Sequence, residues 1–442
     1  MQTFLDALAD SPQWYVLALL LSATGIVLLA KASTATWYDP WALQQVQTIF
    51  ATAAVIFMGI AGVIKPSLLI YHIVAISCFL LCAGQCFKQA VRVHWGARRV
   101  KQSPLSSLRT ALFLLFVGAQ LGAWALGGIP IFLESRLDAF SSGGGIGVLS
   151  RIISFTSFAA LFLTVLRVGV SRRKKLSFTD WLVLLFIVIS SVANASKTSI
   201  VLTLFIILMS HWFFKHLFQD YEAPRISFQK FAVLGLILGF LFLLPVAIEQ
   251  ARGGVDPTVG GPLVAVAFRL IFSGDGYMWM YGDDYLSYVK VSNPTALFFA
   301  DFLGATRLVP WDQLPVHPGL QIYRDLFPDS DAIKGPNIRV DAFGLLYGSM
   351  VFGTFFSALL GGLFGLLRTW VFKVRSAILF VPAAYLFFQA PTFIVDPVLG
   401  ITAVVNTIFA IITMIMAVAL IGQDPFGSGA RAMYRDFHVD RN

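Results

Sequence analysis

Apolar runs long enough to cross a bilayer, about 17–25 residues, recur along this chain from one end to the other. In hydrocarbon no water is present to bond a free backbone N–H or C=O, so a run of this kind has to be a helix. Eleven such runs are read, at residues 14–30, 46–64, 68–87, 108–126, 148–168, 178–192, 198–214, 231–248, 342–367, 377–393 and 399–421. Only 12% of the residues are charged and 57% are hydrophobic, against about 25% charged in a soluble domain. The fold class is therefore an all-α polytopic membrane protein with about 11 transmembrane helices. Asp6 and Asp10 precede the first run and no basic residue does, so no cleavable signal peptide is expected.

The net charge of +9 belongs to loops and not to a nucleic-acid surface. Basic residues gather at Lys88–Arg109, at Arg167 and Arg172 to Lys175, at Lys215–Lys230, and at Arg368, Lys373 and Arg375. With eleven spans these clusters share one face, which the positive-inside rule makes cytoplasmic. On that topology 21 of the 32 basic residues lie inside and 16 of the 23 acidic residues lie outside. The N-terminus is then extracytoplasmic and the C-terminus cytoplasmic. Residues 178–214 set the parity. A single helix over them would be about 55 Å long, against a hydrocarbon core of about 30 Å. A hairpin turning near Asn194 and Lys197 is expected instead, with both residues near a cavity at the outer surface.

Four parts follow: a membrane domain at 1–248 with eight spans, an extracytoplasmic loop at 249–341, a membrane domain at 342–421 with three spans, and a cytoplasmic tail at 422–442. The loop concentrates ionisable groups, with seven basic residues, eleven carboxylates and His317. It reads as short surface-lying pieces: a re-entrant or interfacial helix at 262–273, an aromatic and charged stretch at 276–290 of the kind seated among headgroups, and a helix at 294–310. Arg252 is followed by two glycines that permit close backbone approach to a ligand. Asn337, Arg339 and Asp341 stand at the mouth of the next span, where free amides favour an anion. With Arg269 and Lys197 they form a candidate phosphate site. Asp275, Asp341 and His317 are the candidate bases. Asp283-Asp284 and Asp329-Ser-Asp331 read as solvated turns, and no metal site is assigned. Glu134 and Asp138 are rim residues.

Cys78, Cys82 and Cys86 share one helix face without histidine or carboxylate beside them, which reads as small residues packing on a neighbouring helix. Gln120, Gln389 and Asn406 are the most polar groups recognised within the runs. The shortage of ionisable residues there disfavours an ion-coupled carrier.

Asp341-Ala-Phe-Gly-Leu-Leu-Tyr-Gly-Ser-Met-Val-Phe-Gly-Thr354, running into Leu360-Gly-Gly-Leu-Phe-Gly365, resembles the span after the large outer loop in oligosaccharide repeat-unit polymerases of the O-antigen and capsule type (Wzy-type). The layout of spans and one late outer loop is similar as well. An arginine-then-glycine spacing described for that family is not met by Arg252, Arg269 or Arg339, so their roles come by analogy of position.

The resemblance implies a GT-C-like membrane enzyme of the bacterial inner membrane. It would be a glycosyltransferase passing a glycan from undecaprenyl diphosphate to a new lipid-linked repeat unit. No cofactor is implied. The partners implied are the undecaprenyl-diphosphate-linked oligosaccharide, membrane lipid, and the chain-length regulator and flippase of the same pathway, with no nucleic acid. Arg252, Arg269 and Arg339 would hold the diphosphate, with Lys197 and Asn337 beside them, and Asp275, Asp341 or His317 would take the acceptor proton. An O-antigen ligase or another lipid-linked-sugar transferase is the alternative, and a flippase or exporter is the non-enzyme one.

Overall fold

The computed structural model describes residues 2–87, 102–133, 146–171, 175–194, 196–218, 221, 239, 243, 262–289, 293–329, 335–374 and 376–422. All regular elements among them are helical. In chain order they are α1 (Gln2–Asp10), α2 (Pro12–Ala30), α3 (Pro40–Ile60), α4 (Pro66–Cys86), α5 (Gln102–Gly127), α6 (Ile146–Val170), α7 (Phe178–Ala193) and α8 (Lys197–Leu217). After these come α9 (Pro262–Ile271), a run of single turns to Ser287, α10 (Pro294–Phe298), α11 (Ala300–Ala305) and α12 (Pro318–Leu326). The chain closes with α13 (Val340–Leu346), α14 (Met350–Lys373), α15 (Ala377–Gln389), α16 (Thr392–Val395) and α17 (Pro397–Ile421).

Eight of the described helical segments are long and apolar enough to cross a membrane, and two shorter apolar helices, at Phe178–Ala193 and Ser199–Lys215, form the expected hairpin. Their outer faces are apolar: Leu420 is 84% exposed and Val351 79%, a pattern that suits lipid and not water. The chain is a multi-pass helical membrane protein. The run read at 231–248 lies outside the described residues. One run needs correction: 342–367 is not a single span, because the chain turns at Tyr347–Ser349 between α13 and α14. Ser349 caps the second helix by accepting from the Phe352 N–H, which makes a fresh start there favourable.

Lipid supplies no hydrophobic force between helices, so close packing depends on small residues. The pair α4 and α14 shows it. Gly353, Ser357, Gly361 and Gly365 repeat every fourth residue on α14, and a Cβ at Gly361 would collide with the Phe79 carbonyl of α4. Cys86 packs beside Gly362 on the same seam, and all three cysteines are free thiols.

The loop does not lie on the surface as a whole. Ser273 Oγ donates to the Gln47 carbonyl at 3.1 Å, Gly274 abuts Ala51 and Ala54, and Gly282 abuts Met58 and Val63. Residues 47–54 are the middle of α3, so the segment after α9 reaches halfway down a membrane-crossing helix and climbs back. This matches the re-entrant expectation for 262–273. It corrects the headgroup reading of 276–290, since Tyr277, Met278, Met280 and Tyr281 are core residues packed with Phe57, Ile338 and Phe343.

Candidate functional site

The arm after α9 carries Asp275, Tyr277 and Tyr281 into contact with Arg339 and Asp341 at the start of α13. Asp341 is fully buried. Its Oδ2 accepts from His72 Nδ1 at 2.7 Å and from the Tyr281 hydroxyl at 3.1 Å, and its Oδ1 accepts from the Tyr277 hydroxyl. The Tyr71 hydroxyl donates to the Asp341 carbonyl at 2.7 Å. Thr52 lies 3.2 Å from the other nitrogen of His72. Burial alone would raise the Asp341 carboxyl, but the adjoining His72 ring and the donors from His72 and Tyr277 outweigh it and hold it below the ordinary range.

Arg339 is also buried, 3% exposed. Its guanidinium donates to Thr48 Oγ1 at 3.3 Å, to the Gln47 carbonyl at 3.2 Å and to the Ser273 carbonyl at 3.3 Å. The expectation of an arginine on the outer rim is therefore corrected. Arg339 ties the arm to the middle of α3, donating to oxygens of both segments where water is scarce.

Asp275 is different. Its side chain keeps partial contact with the surroundings, accepts from the Gly276 N–H at 2.7 Å, and stands in the field of Arg339. Burial pushes its carboxyl up to about 6, against the smaller opposing pulls of the Gly276 N–H and Arg339.

The other candidates are scattered. His317 accepts from the Gly319 N–H through Nδ1 at 3.1 Å, and its Nε2 reaches Asp396 at 3.0 Å. It fastens α12 to the cap of α17, far along the chain from Asp275. Asn337 and Arg269 are exposed, and Asn337 lends its backbone carbonyl to the wall beside Gly276. The α8 helix starts at Lys197, whose side chain lies outside the described residues, as do Arg252, Glu134, Asp138 and Asp331. The structure brings together Asp275, Arg339 and Asp341. It does not bring His317 or an exposed set of arginines to them.

His72 was the missed residue. A histidine inside an apolar run is a functional-site signal by itself, and the sequence reading passed over it in 68–87. Tyr277, Tyr281 and Thr52 carried no comparable signal. Among the described residues no group of three or more His, Cys, Asp or Glu side chains is placed to hold a metal ion.

A concavity lies elsewhere in the bundle. A cavity of about 320 Å³ is enclosed by α5, α6, α7, α8 and the end of α15, and Asn194 at the hairpin turn lines it. Comparison of the chain with family models, with curated proteins and with solved structures returned no match.

Proposed function

We propose that this chain is a membrane glycosyltransferase using a polyprenyl-diphosphate-linked donor, a polymerase that joins lipid-linked oligosaccharide repeat units into a surface polysaccharide at the outer face of a bacterial inner membrane. The observation that carries the reading is Asp275, a half-buried carboxylate at the tip of a re-entrant arm, with its pKa moved to about 6. A general base works best with a pKa near the operating pH, and strongly perturbed carboxylates mark candidate sites. The resemblance of the 337–365 region supplies the reaction.

In that reaction Asp275 takes the proton of the acceptor hydroxyl as its oxygen bonds to the anomeric carbon. The bond from that carbon to the diphosphate breaks, and the leaving diphosphate carries the electron pair away. Arg269, exposed on the same arm, is the described cation best placed to meet the developing charge, since a guanidinium pairs bidentately with phosphate oxygens. Arg339 and Asp341 act as positioning residues: they hold the arm at its depth and keep Asp275 in place. Fixed cations take the part of a metal, so turnover should survive EDTA.

Purified protein in liposomes with undecaprenyl-diphosphate-linked repeat units tests this by the product ladder. Asp275→Asn should cut elongation by about 10²-fold or more. Arg269→Ala should do the same by about 10²-fold, while Arg307→Ala, on the exposed rim, should be silent. A full-length ladder from Asp275→Asn would overturn the assignment.

One observation favours the flippase or exporter reading. The His72–Asp341 pair and Arg339 lie among membrane-crossing helices, where ion-coupled carriers keep ionisable groups. The same liposomes separate the two. Transfer of lipid-linked units between leaflets with no elongation, abolished by His72→Gln, would replace the polymerase by a carrier.

A further inference from the structure

The cavity between α5, α6, α7, α8 and α15 is lined by hydroxyls, amides and aromatic rings. Hydroxyls come from Ser150, Ser154 and Ser157 on one face of α6, and from the residues around the α7–α8 turn up to Thr203. Amides come from Gln120, Asn194 and Gln389, and apolar walls from Phe116, Phe158 and Phe388. Among the described residues lining it, none carries an ionisable side chain. It sits at one end of the bundle, where α5, α7 and α15 finish and α6 and α8 begin, the end assigned to the outer face by the basic-loop pattern.

The direction of the hydrogen bonds gives the cavity its chemistry. Ser150 donates to the Gly147 carbonyl at 2.9 Å, Ser157 to the Ser154 carbonyl at 3.2 Å, Ser190 to the Ile187 carbonyl at 3.0 Å and Thr203 to the Ser199 carbonyl at 2.8 Å. Their protons are spent inside their own helices, so what they offer the cavity is oxygen lone pairs. Gln120 and Asn194 close on each other through two amide bonds of 3.2 and 3.1 Å, braced by Trp124 at 2.9 Å. Gln389 accepts from Thr392 Oγ1 at its backbone carbonyl, while its side-chain amide makes no hydrogen bond with another described residue and can both donate to and accept from a ligand.

A ligand here must bring several hydrogen-bond donors, a compact body and no charge. An anion would meet no charged side chain among the described lining residues, and burying a charge without a partner costs several kcal/mol. A bare lipid chain would leave the hydroxyl and amide groups unpaired. At about 320 Å³ the volume is at the lower end of small-molecule sites, about 300–1,000 Å³. We infer that this cavity binds the neutral, polyhydroxylated head of a membrane glycolipid, a sugar unit seated with its hydroxyls on the serine face of α6 and its ring beside Phe158 and Phe388. The site goes beyond the transferase reading and does not depend on Asp275, because binding is read without turnover.

The test uses full-length protein in lipid nanodiscs and an octyl glucoside carrying a diazirine on the sugar, photolysed and mapped by peptide mass spectrometry. Crosslinks should fall on α6, α7 and α8. Excess octyl glucoside should compete for them, while octanol and octyl phosphate should not. Ser157→Leu, which fills the cavity, and Gln389→Leu, which removes the free amide, should each weaken labelling about tenfold, the scale of one or two lost hydrogen bonds. Arg307→Ala, exposed and outside the cavity, should label as wild type, and an unchanged melting temperature of the cavity variants shows that they fold. Competition on the wild-type protein needs no variant to fold. Equal competition by octanol would mean a lipid-tail site, and competition by octyl phosphate an anion site. Either result, or crosslinks confined to other helices, overturns the inference. If labelling behaves as expected while no ladder forms with Asp275 intact, the sugar site stands and the polymerase reading falls.

Discussion

At the scale of single residues, three ionisable groups meet beside α3 and are treated differently by their surroundings. Asp341 has three side-chain donors and is held ionised. Arg339 is spent on two backbone carbonyls and a hydroxyl. Asp275 has one N–H bond and pays for burial with a raised pKa of about 6. The sign of the consequence follows. Asp275 binds its proton more tightly in the folded state than in the unfolded one, where its value is about 3.8. The group therefore costs nothing below that value, and stability falls as pH rises through about 6, then stays level. Asp275→Asn keeps an oxygen to accept from Gly276 and removes the ionisation. The variant should unfold at a higher temperature than wild type at pH 7.5, by ~1–2 kcal/mol once partial solvation is allowed for. The difference should vanish near pH 4. A constant gap at both pH values would show that ionisation is not its source.

At the scale of elements, helix N-termini are used as bolts. Asp39 caps α3 by accepting from the Trp41 N–H at 2.9 Å, and the same carboxylate binds Arg368 at the far end of α14. Arg368 is fully buried and stands over the rings of Phe87, Phe364 and Phe387. Asp180, in the capping box of α7, takes both Arg109 of α5 and Arg167 of α6. Asp396 caps α17 through the Val398 N–H at 2.9 Å and reaches His317. In each case a helix N-terminus and a side chain from another element share one carboxylate, an arginine at Asp39 and Asp180 and a histidine at Asp396. Arg109, Arg167 and Arg368 were read as loop charges, and they are instead ties between helices. Removing one partner of a buried pair strands the other charge, so Arg368→Met should cost about 3–5 kcal/mol. Asp39→Asn combined with Arg368→Met should cost clearly less than the two single changes added. Thermal unfolding of the detergent-purified variants measures it, and additivity would mean that the two residues do not interact.

At the scale of the whole molecule, the bolts sort to the two ends of the bundle. Asp39–Arg368 and the Arg109–Arg167–Asp180 group lie at the end assigned to the cytoplasm, and His317–Asp396 and Arg151–Asp301 lie at the other. The re-entrant arm and the hydroxyl-lined cavity both lie in the half that the basic-loop pattern assigns to the outside. Single cysteines at Asp312 and Leu176, both exposed, test this in a background lacking Cys78, Cys82 and Cys86. An impermeant thiol reagent should label Asp312→Cys in whole cells and Leu176→Cys only after permeabilisation. The reverse pattern would invert the protein and remove the site from the outer face.

Much of the architecture was determined by sequence alone, because a long apolar run in lipid has only the helix available to it. The hairpin at 178–214 and the short re-entrant piece at 262–273 follow from length against membrane thickness, and both are present. The candidate site was legible in part. Asp275, Arg339 and Asp341 were singled out from their place beside glycines and at a span's mouth. Their depth was not legible, since exposure of an arginine depends on which acceptors another segment brings beside it. Arg339 finds them on Gln47 and Ser273, residues hundreds and tens of positions away. His72 became a partner only when α4 packed on α13 and α14. The serines and amides of the cavity come from five helices and share no local pattern. Only the packing of those helices, decided by small residues and buried ion pairs spread over the whole chain, turned them to face one space.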